Sequence, residues 1–317
     1  MTSERILVVG AGATGGYFGA RLAQAGRDVT FLLRSARAEH VRAHGLRLVT
    51  PGKDLTLRPA VVTADELDGP FGLVLLATRA DAVTDVAGQI APAVGPDTRI
   101  LPVLNGVAHL DVLTGRFGTH AVLGGVAMIA AALRPDGTVT QLNPAASVTL
   151  GSLDGADATA VAGLLGVNGI DVFVSDGILA EMWRKWVFIV SITALTTLMN
   201  APVGDIVAVP GGYDVARAIV AEAVSVSAAA GRPLGDDAIA FVEGAATQPG
   251  SPLTTSVFRD LAAGRAAEVE PMLGDFIDRA RRSDTPTPYL NAATTRMRVY
   301  EHLRTARAGS GSASADA

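Results

Sequence analysis

The stretch Ile6-Leu7-Val8-Val9-Gly10-Ala11-Gly12-Ala13-Thr14-Gly15-Gly16-Tyr17-Phe18-Gly19 decides the fold. Four apolar residues run directly into a glycine pattern, and the glycines into a segment with helical spacing. A short continuous apolar run bounded by glycine reads as a strand covered on both faces. The pattern predicts a strand at Ile6–Val9, a helix at Thr14–Ala25 and a second strand at Val29–Leu33. The turn between the first two has the form G-x-G-x-x-G, and each glycine has its own reason. Gly10 permits the tight turn, Gly12 lets backbone approach a diphosphate, and Gly15 lets the helix lie close to the strand. The helix start offers unbonded amides and the positive end of its dipole to phosphate. A dinucleotide site is therefore expected at Gly10, Ala11, Gly12, Ala13, Thr14 and Gly15. The alternatives are a glycine turn kept for packing alone and a flavin site. Gly16 and Gly19 extend the small face of the helix.

The end of the second strand bears on which nucleotide is bound. An acid there would accept from a ribose 2′-hydroxyl. This chain has Leu32-Leu33-Arg34-Ser35-Ala36-Arg37 and no acid. Arg34 can meet a 2′-phosphate with two N–H groups, and Ser35 or Arg37 could assist. NADP(H) is the expected cofactor. Arg79, after the apolar run at Leu73–Ala77, is a second cation near the same sheet edge that could reach the adenosine phosphate. A solvated surface arginine is the alternative at both positions.

Further strands are expected at Leu73–Leu76, Ile100–Leu104, Val122–Ile129 and Val148–Leu150, with extra β structure over Leu46–Thr63 around a turn at Pro51-Gly52. Past about Val174 the strand pattern stops. Helices are expected at Ile178–Asn200, Val215–Ala230, Asp236–Gln248, Ser256–Gly264, Val269–Ser283 and Pro288–Arg304, separated by Gly and Pro breaks. These readings predict an α/β fold: an N-terminal Rossmann-type dinucleotide-binding domain over 1–175, a second, all-helical substrate and catalytic domain over 176–306, and a disordered Gly/Ser/Ala-rich tail over 307–317.

Composition supports a folded two-domain chain. It has 317 residues, 49% hydrophobic and 18% charged, which is enough apolar material for large cores and too little charge for disorder. The net charge of −5 and the scattered basic residues argue against nucleic-acid binding. There are no cysteines, which excludes disulfides, thiolate metal sites and a cysteine nucleophile. Five dispersed histidines show no ligand spacing, so no metal is expected. No signal-peptide pattern precedes Ile6. The apolar stretch Trp186–Met199 is too short to span a bilayer and carries Ser191, Thr193, Thr196 and Thr197, so it reads as a buried helix. No membrane association and a cytoplasmic location are the expectations. Apolar helix faces in the second domain would form a homodimer face or fill its own core.

With these features in place, the chain resembles the ketopantoate reductase (2-dehydropantoate 2-reductase) family over nearly its whole length, to about Arg304. The resemblance rests on G-A-G-A-T-G-G-Y-F-G at 10–19, L-N-G at 104–106, W-R-K at 183–185, and S-V-F-R-D at 256–260 followed by A-E-V-E at 267–270, in that order and spacing. It implies NADPH-dependent reduction of a 2-keto acid to a 2-hydroxy acid, with a small-molecule 2-keto acid as partner. Lys185 matches the family's general acid, Asn105 the asparagine facing nicotinamide and substrate, and Ser256 and Glu268 its substrate-binding pair.

The residues support those roles in part. Hydride attack on a ketone builds negative charge on oxygen, and a cation that can release a proton removes it. Lys185, one of two lysines with Lys53, lies between Trp183 and Trp186, where desolvation would lower its pKa. Snorkelling of its ammonium to water is the alternative. Asn105 could be an Asn-Gly turn only, Ser256 a helix N-cap, and Glu268 an acid favoured by a helix start. The chain also departs from the family. Four and eight residues after the lysine, where the family commonly has asparagine, it has Ile189 and Thr193. Val203 stands at a third such position, while Asn200 and Pro202 fit. A substrate wall with Ile189 and Thr193 leaves open a different, more apolar 2-oxo acid or carbonyl substrate. A non-catalytic NADPH sensor is the remote alternative.

Overall fold

The structure is a computed structural model that describes residues 4–313. It comprises two compact units that part at Met182/Trp183. In chain order the first contains β1 (Ile6–Val9), α1 (Ala13–Gln24), β2 (Val29–Leu32), α2 (Ser35–His44), β3 (Leu46–Thr50), β4 (Lys53–Leu57), β5 (Ala60–Val62), β6 (Leu73–Leu76), α3 (Val83–Gln89), β7 (Arg99–Pro102), α4 (Ala108–Phe117), β8 (Leu123–Leu133), β9 (Val139–Ser152), α5 (Thr159–Leu165) and β10 (Asp171–Val174).

Five strands form a parallel sheet in the order β5-β2-β1-β6-β7. Every residue of β1, β2 and β6 is buried, which is why these strands read as unbroken apolar runs. The chain leaves β1 toward β2 on one side and later returns to β6 on the other. The glycine turn after β1 thus lies at the point where strand order reverses, the place where open α/β sheets leave a crevice.

A second sheet is built on the antiparallel β8–β9 hairpin. Strand β3 pairs with the start of β9 and β10 with its later part, while β4 is hairpinned to β3. Helix α1 packs against both sheets. A Cβ at Gly19 would run into the Phe31 ring of β2, and one at Gly16 into Val139 of β9. Glycine inside a helix costs about 1 kcal/mol against alanine. Here it lets one helix sit close to two sheets in a single core.

Several sequence expectations are refined in this unit. The segment 46–63 divides: β3 and β4 join the second sheet, and β5 becomes an edge of the parallel one. The short strands expected at 122–129 and 148–150 are parts of an 11- and a 14-residue strand. Asn143-Pro144 looks like a break in sequence. It falls in an irregularity of the ladder, where the register jumps from Ile129↔Ala146 to Ala131↔Gln141, a place that tolerates a proline without an N–H. Strand β10 was not anticipated.

Helix α6 (Ile178–Met199) carries the boundary between the units. Its first turn belongs with the first: a Cβ on Gly124 would lie 2.7 Å from the Ile178 side chain and 3.2 Å from the Met182 sulfur, and one on Gly151 2.9 Å from Ile178, so these two glycines make room for it. That packing places the boundary after 182 rather than at 175/176. The second unit continues with α7 (Val203–Val207), α8 (Gly212–Ala229), α9 (Asp236–Ala246), α10 (Ser256–Ala262), a π-helical turn at Glu270–Gly274, α11 (Asp275–Arg282) and α12 (Pro288–Ala313). Among the described residues no strand follows Val174. Asn200, at φ +56°, ends α6 in the left-handed conformation that terminates helices.

The single helix expected over 269–283 begins instead as a π turn, in which the Asp275 amide donates to the Glu270 carbonyl five residues back. Pro271 falls in that first turn, where a missing N–H costs no intrahelical bond. Helix α12 runs to Ala313, which corrects the tail expected from 307. Arg304 to Ala308 contain good helix formers and no proline, which favours carrying the helix past 306. Residues 314–317 lie outside the described residues. No helix among the described residues is long and apolar enough to cross a membrane.

Candidate active site

The C-terminal ends of β1, β2 and β6 open into a cleft of about 740 Å³ in the first unit. Gly10 to Thr14, Arg34, Arg37 and Arg79 line it, together with Thr63, Asp65 and Leu133. The three motif glycines separate by cause. Gly10 has φ +95°, which only glycine adopts freely. A Cβ at Gly15 would strike the Gly10 carbonyl and lie 2.9 Å from the Ala77 Cβ. A Cβ at Gly12 would meet nothing within 4 Å. Packing therefore explains Gly10 and Gly15 but not Gly12, which faces the open cleft. No side chain caps the start of α1 at Gly12. An open glycine, an uncapped helix start and cleft walls of backbone fit the diphosphate of a dinucleotide.

The three arginines of this cleft differ in state. Arg34 stands at the N-cap of α2, exposed, with no protein partner for its guanidinium among the described residues. Arg79 is engaged by Asp81, with Nη2 2.8 Å and Nε 3.2 Å from its carboxylate, and this contact holds the Asp81 carboxyl below its ordinary range. Arg37 turns inward, donating from Nη2 to the Gly137 carbonyl at 2.9 Å and to the Ala11 carbonyl at 3.3 Å. Its guanidinium is thus held by backbone carbonyls, whereas that of Arg34 is exposed. Thr63 and Asp65 went unread in the sequence because their place depends on β5 pairing with β2, which puts the Leu33 amide 3.0 Å from the Val62 carbonyl. Asn105 lies at a bend after β7, half-buried and followed by Gly106 at φ +79°. It is not part of the cleft lining, and its amide side chain bonds no described residue.

The other candidates lie in the helical unit. Lys185 is half-buried on α6, and burial pushes its ammonium down from 10.5 to about 8. Its neighbours Trp183 and Trp186 are 5.0 Å apart between ring centroids, and Trp186 meets Phe276 edge-on at 4.8 Å. Arg279 stacks over both indoles and pairs with Asp275. The Trp186 indole N–H donates to the Met272 carbonyl at 3.1 Å. That bond ties the helix turn carrying Lys185 to the π turn just after Glu268. Glu268 is half-buried between buried Ala267 and Val269. Its neighbour Glu270 is committed to Arg298 through two bonds of 2.6 and 2.7 Å.

Ile189 is half-buried one turn beyond Lys185. Thr193, a further turn on, is fully buried, and its hydroxyl points to the Met272 sulfur at 3.8 Å. Ser256 is exposed at the first position of α10. It is not the N-cap: Thr255 is, its hydroxyl accepting from the Phe258 amide at 3.3 Å.

A parallel sheet with a nucleotide cradle at its switch point, followed by an all-helical unit, defines a Rossmann-type dinucleotide-binding protein with a second, helical domain. The chain matches the family model of ketopantoate reductase PanE/ApbA over residues 6–155 and that family's C-terminal model over residues 177–301. It belongs to this family and is one of its oxidoreductases. It is 30% identical over 301 residues to the uncharacterized oxidoreductase YkpB of Bacillus subtilis, covering 94% of this chain and 99% of that one. It is 29% identical to a 2-dehydropantoate 2-reductase of Mesorhizobium japonicum, over 93% of this chain and 97% of the relative. Among solved structures, a complex of D-mandelate dehydrogenase with NADH is 25% identical with a TM-score of 0.83, covering 94% of this chain and 99% of that one.

Proposed function

We propose that the protein uses NADPH to reduce a 2-keto acid to a 2-hydroxy acid, with 2-dehydropantoate, reduced to pantoate, as the first candidate. The observation that carries this reading is Lys185, a cation whose proton is made labile near neutral pH by burial. NADPH, when bound, supplies a hydride to the carbonyl carbon. As negative charge builds on the carbonyl oxygen, Lys185 gives it a proton, and the neutral amine left behind regains one from water. Gly10, Ala11, Gly12, Ala13, Thr14 and Gly15 hold the diphosphate. Arg34 meets the 2′-phosphate, and Arg79 is a second cation near it. Asn105, Ser256 and Glu268 position the reactants.

A second reading keeps the reaction and changes the substrate to a more apolar 2-oxo acid. Ile189 has no hydrogen-bonding group, and the Thr193 hydroxyl is turned into the core. A substrate hydroxyl left unpaired there costs about 1–3 kcal/mol. The similarity to a D-mandelate dehydrogenase agrees, since mandelate is a 2-hydroxy acid with a phenyl group. Oxidation of NADPH and NADH is to be followed with 2-dehydropantoate, branched 2-oxo acids and a phenyl-substituted one. NADPH-dependent turnover is expected. The highest kcat/KM with 2-dehydropantoate selects the first reading, and with an apolar acid the second. No turnover of any 2-oxo acid overturns both.

A further inference from the structure

Arg37 is a half-buried guanidinium with no carboxylate among its hydrogen-bond partners. It bonds the carbonyl of Ala11, inside the glycine turn, and the carbonyl of Gly137, at the tip of the β8–β9 hairpin, 26 and 100 residues away in sequence. Burial lowers its pKa, its Nε is buried without a partner, and no acid offsets the charge. A guanidinium held in this way is costly unless something compensates it. The hairpin is shaped around it. Gly137 has φ +82°, and a Cβ there would collide with Arg37 Nη1 and lie 2.7 Å from His40 Nε2. The same arginine lines the nucleotide cleft.

We infer that Arg37 is a positioning residue for the nucleotide: it straps the glycine turn to the β8–β9 hairpin, so that the loop's amides stay aimed into the cleft, and its uncompensated charge is offset by the bound diphosphate. The inference rests on the proposed use of a dinucleotide. It separates two arginines three residues apart. Arg34 reads the 2′-phosphate and so distinguishes NADPH from NADH. Arg37 acts on the part the two nucleotides share and affects both equally.

Binding of NADPH and of NADH to the full-length protein is to be titrated by nucleotide fluorescence, alongside steady-state kinetics and thermal melting. Arg37→Ala is expected to weaken both nucleotides by the same factor, about tenfold for loss of a charge-assisted pair of contacts, with kcat at saturating nucleotide nearly unchanged. Arg37→Lys keeps the charge but cannot bridge two carbonyls as a fork does, so it restores only part of the affinity. Gly137→Ala, which displaces the strap from its other end, is expected to give the same pattern, and it and Arg37→Lys serve if Arg37→Ala does not fold. Arg34→Asp, by contrast, changes the NADPH-to-NADH ratio. Unchanged binding in the folded Arg37 variants overturns the inference, as does a loss confined to NADPH, which would make Arg37 a 2′-phosphate ligand. Wild-type protein that binds neither nucleotide overturns the functional reading itself.

Discussion

At the scale of single residues, Lys185 links burial to chemistry. The unfolded lysine keeps its proton to about 10.5, whereas the folded one loses it near 8. Two effects of opposite sense follow. In the proposed reduction Lys185 acts in its protonated form, so on that reading kcat/KM should be level below pH 8 and fall as pH rises through it, while oxidation of the 2-hydroxy acid should rise across the same range. Stability moves the other way. Between 8 and 10.5 the unfolded chain holds more protons, so folding gains stability as pH rises through that window, and below it the buried ammonium carries its full cost. Lys185→Met should therefore lower turnover by about 10²–10⁴-fold and remove the rise in stability between pH 8 and 10.5. Turnover within a few-fold of wild type would remove Lys185 as the acid. A melting temperature that falls at pH 7 would show that its stem and contacts stabilise more than its charge costs.

At the scale of an element, α10 separates a capping residue from a candidate binding residue that are neighbours in sequence. Thr255 caps the helix, and exposed Ser256 has its hydroxyl free of that task. Thr255→Ala should cost about 1 kcal/mol of stability, read as a shift in the urea midpoint. Ser256→Ala should leave that midpoint in place and raise KM for the 2-keto acid. If the two variants exchange these effects, the cap has been assigned to the wrong residue. The β8–β9 hairpin makes a related point about elements. Its apolar strands are visible in sequence, but Pro144 hides their continuity until the register jump shows where an unpaired residue can sit.

At the scale of the whole molecule, every residue lining the nucleotide cleft comes from the first 133 positions, all in the first compact unit. Nucleotide at about 100 times its Kd should stabilise that unit by about 2.7 kcal/mol. Hydrogen exchange should slow at the amides of Ala13 to Gly15 and at the start of α2. Protection spread evenly over both units, with none concentrated at these amides, would show that the nucleotide acts elsewhere.

Most local signals were legible in the sequence, although strand β10 was not. Buried strands appear as apolar runs, the turn between β1 and α1 appears as spaced glycines, and the missing acid after β2 appears as Arg34, because each depends on residues within one or two turns of chain. The helical character of the second unit was legible for the same reason, from periodicity and Gly/Pro breaks. Tertiary structure alone decided what depends on distant pairing. It split 46–63 between two sheets, brought Thr63 and Asp65 to the cleft, turned Arg37 toward a hairpin 100 residues away, buried Thr193 against Met272 and set the π turn after Glu268. Side-chain direction and desolvation are properties of packed neighbours, and those neighbours are chosen by the fold rather than by adjacency along the chain.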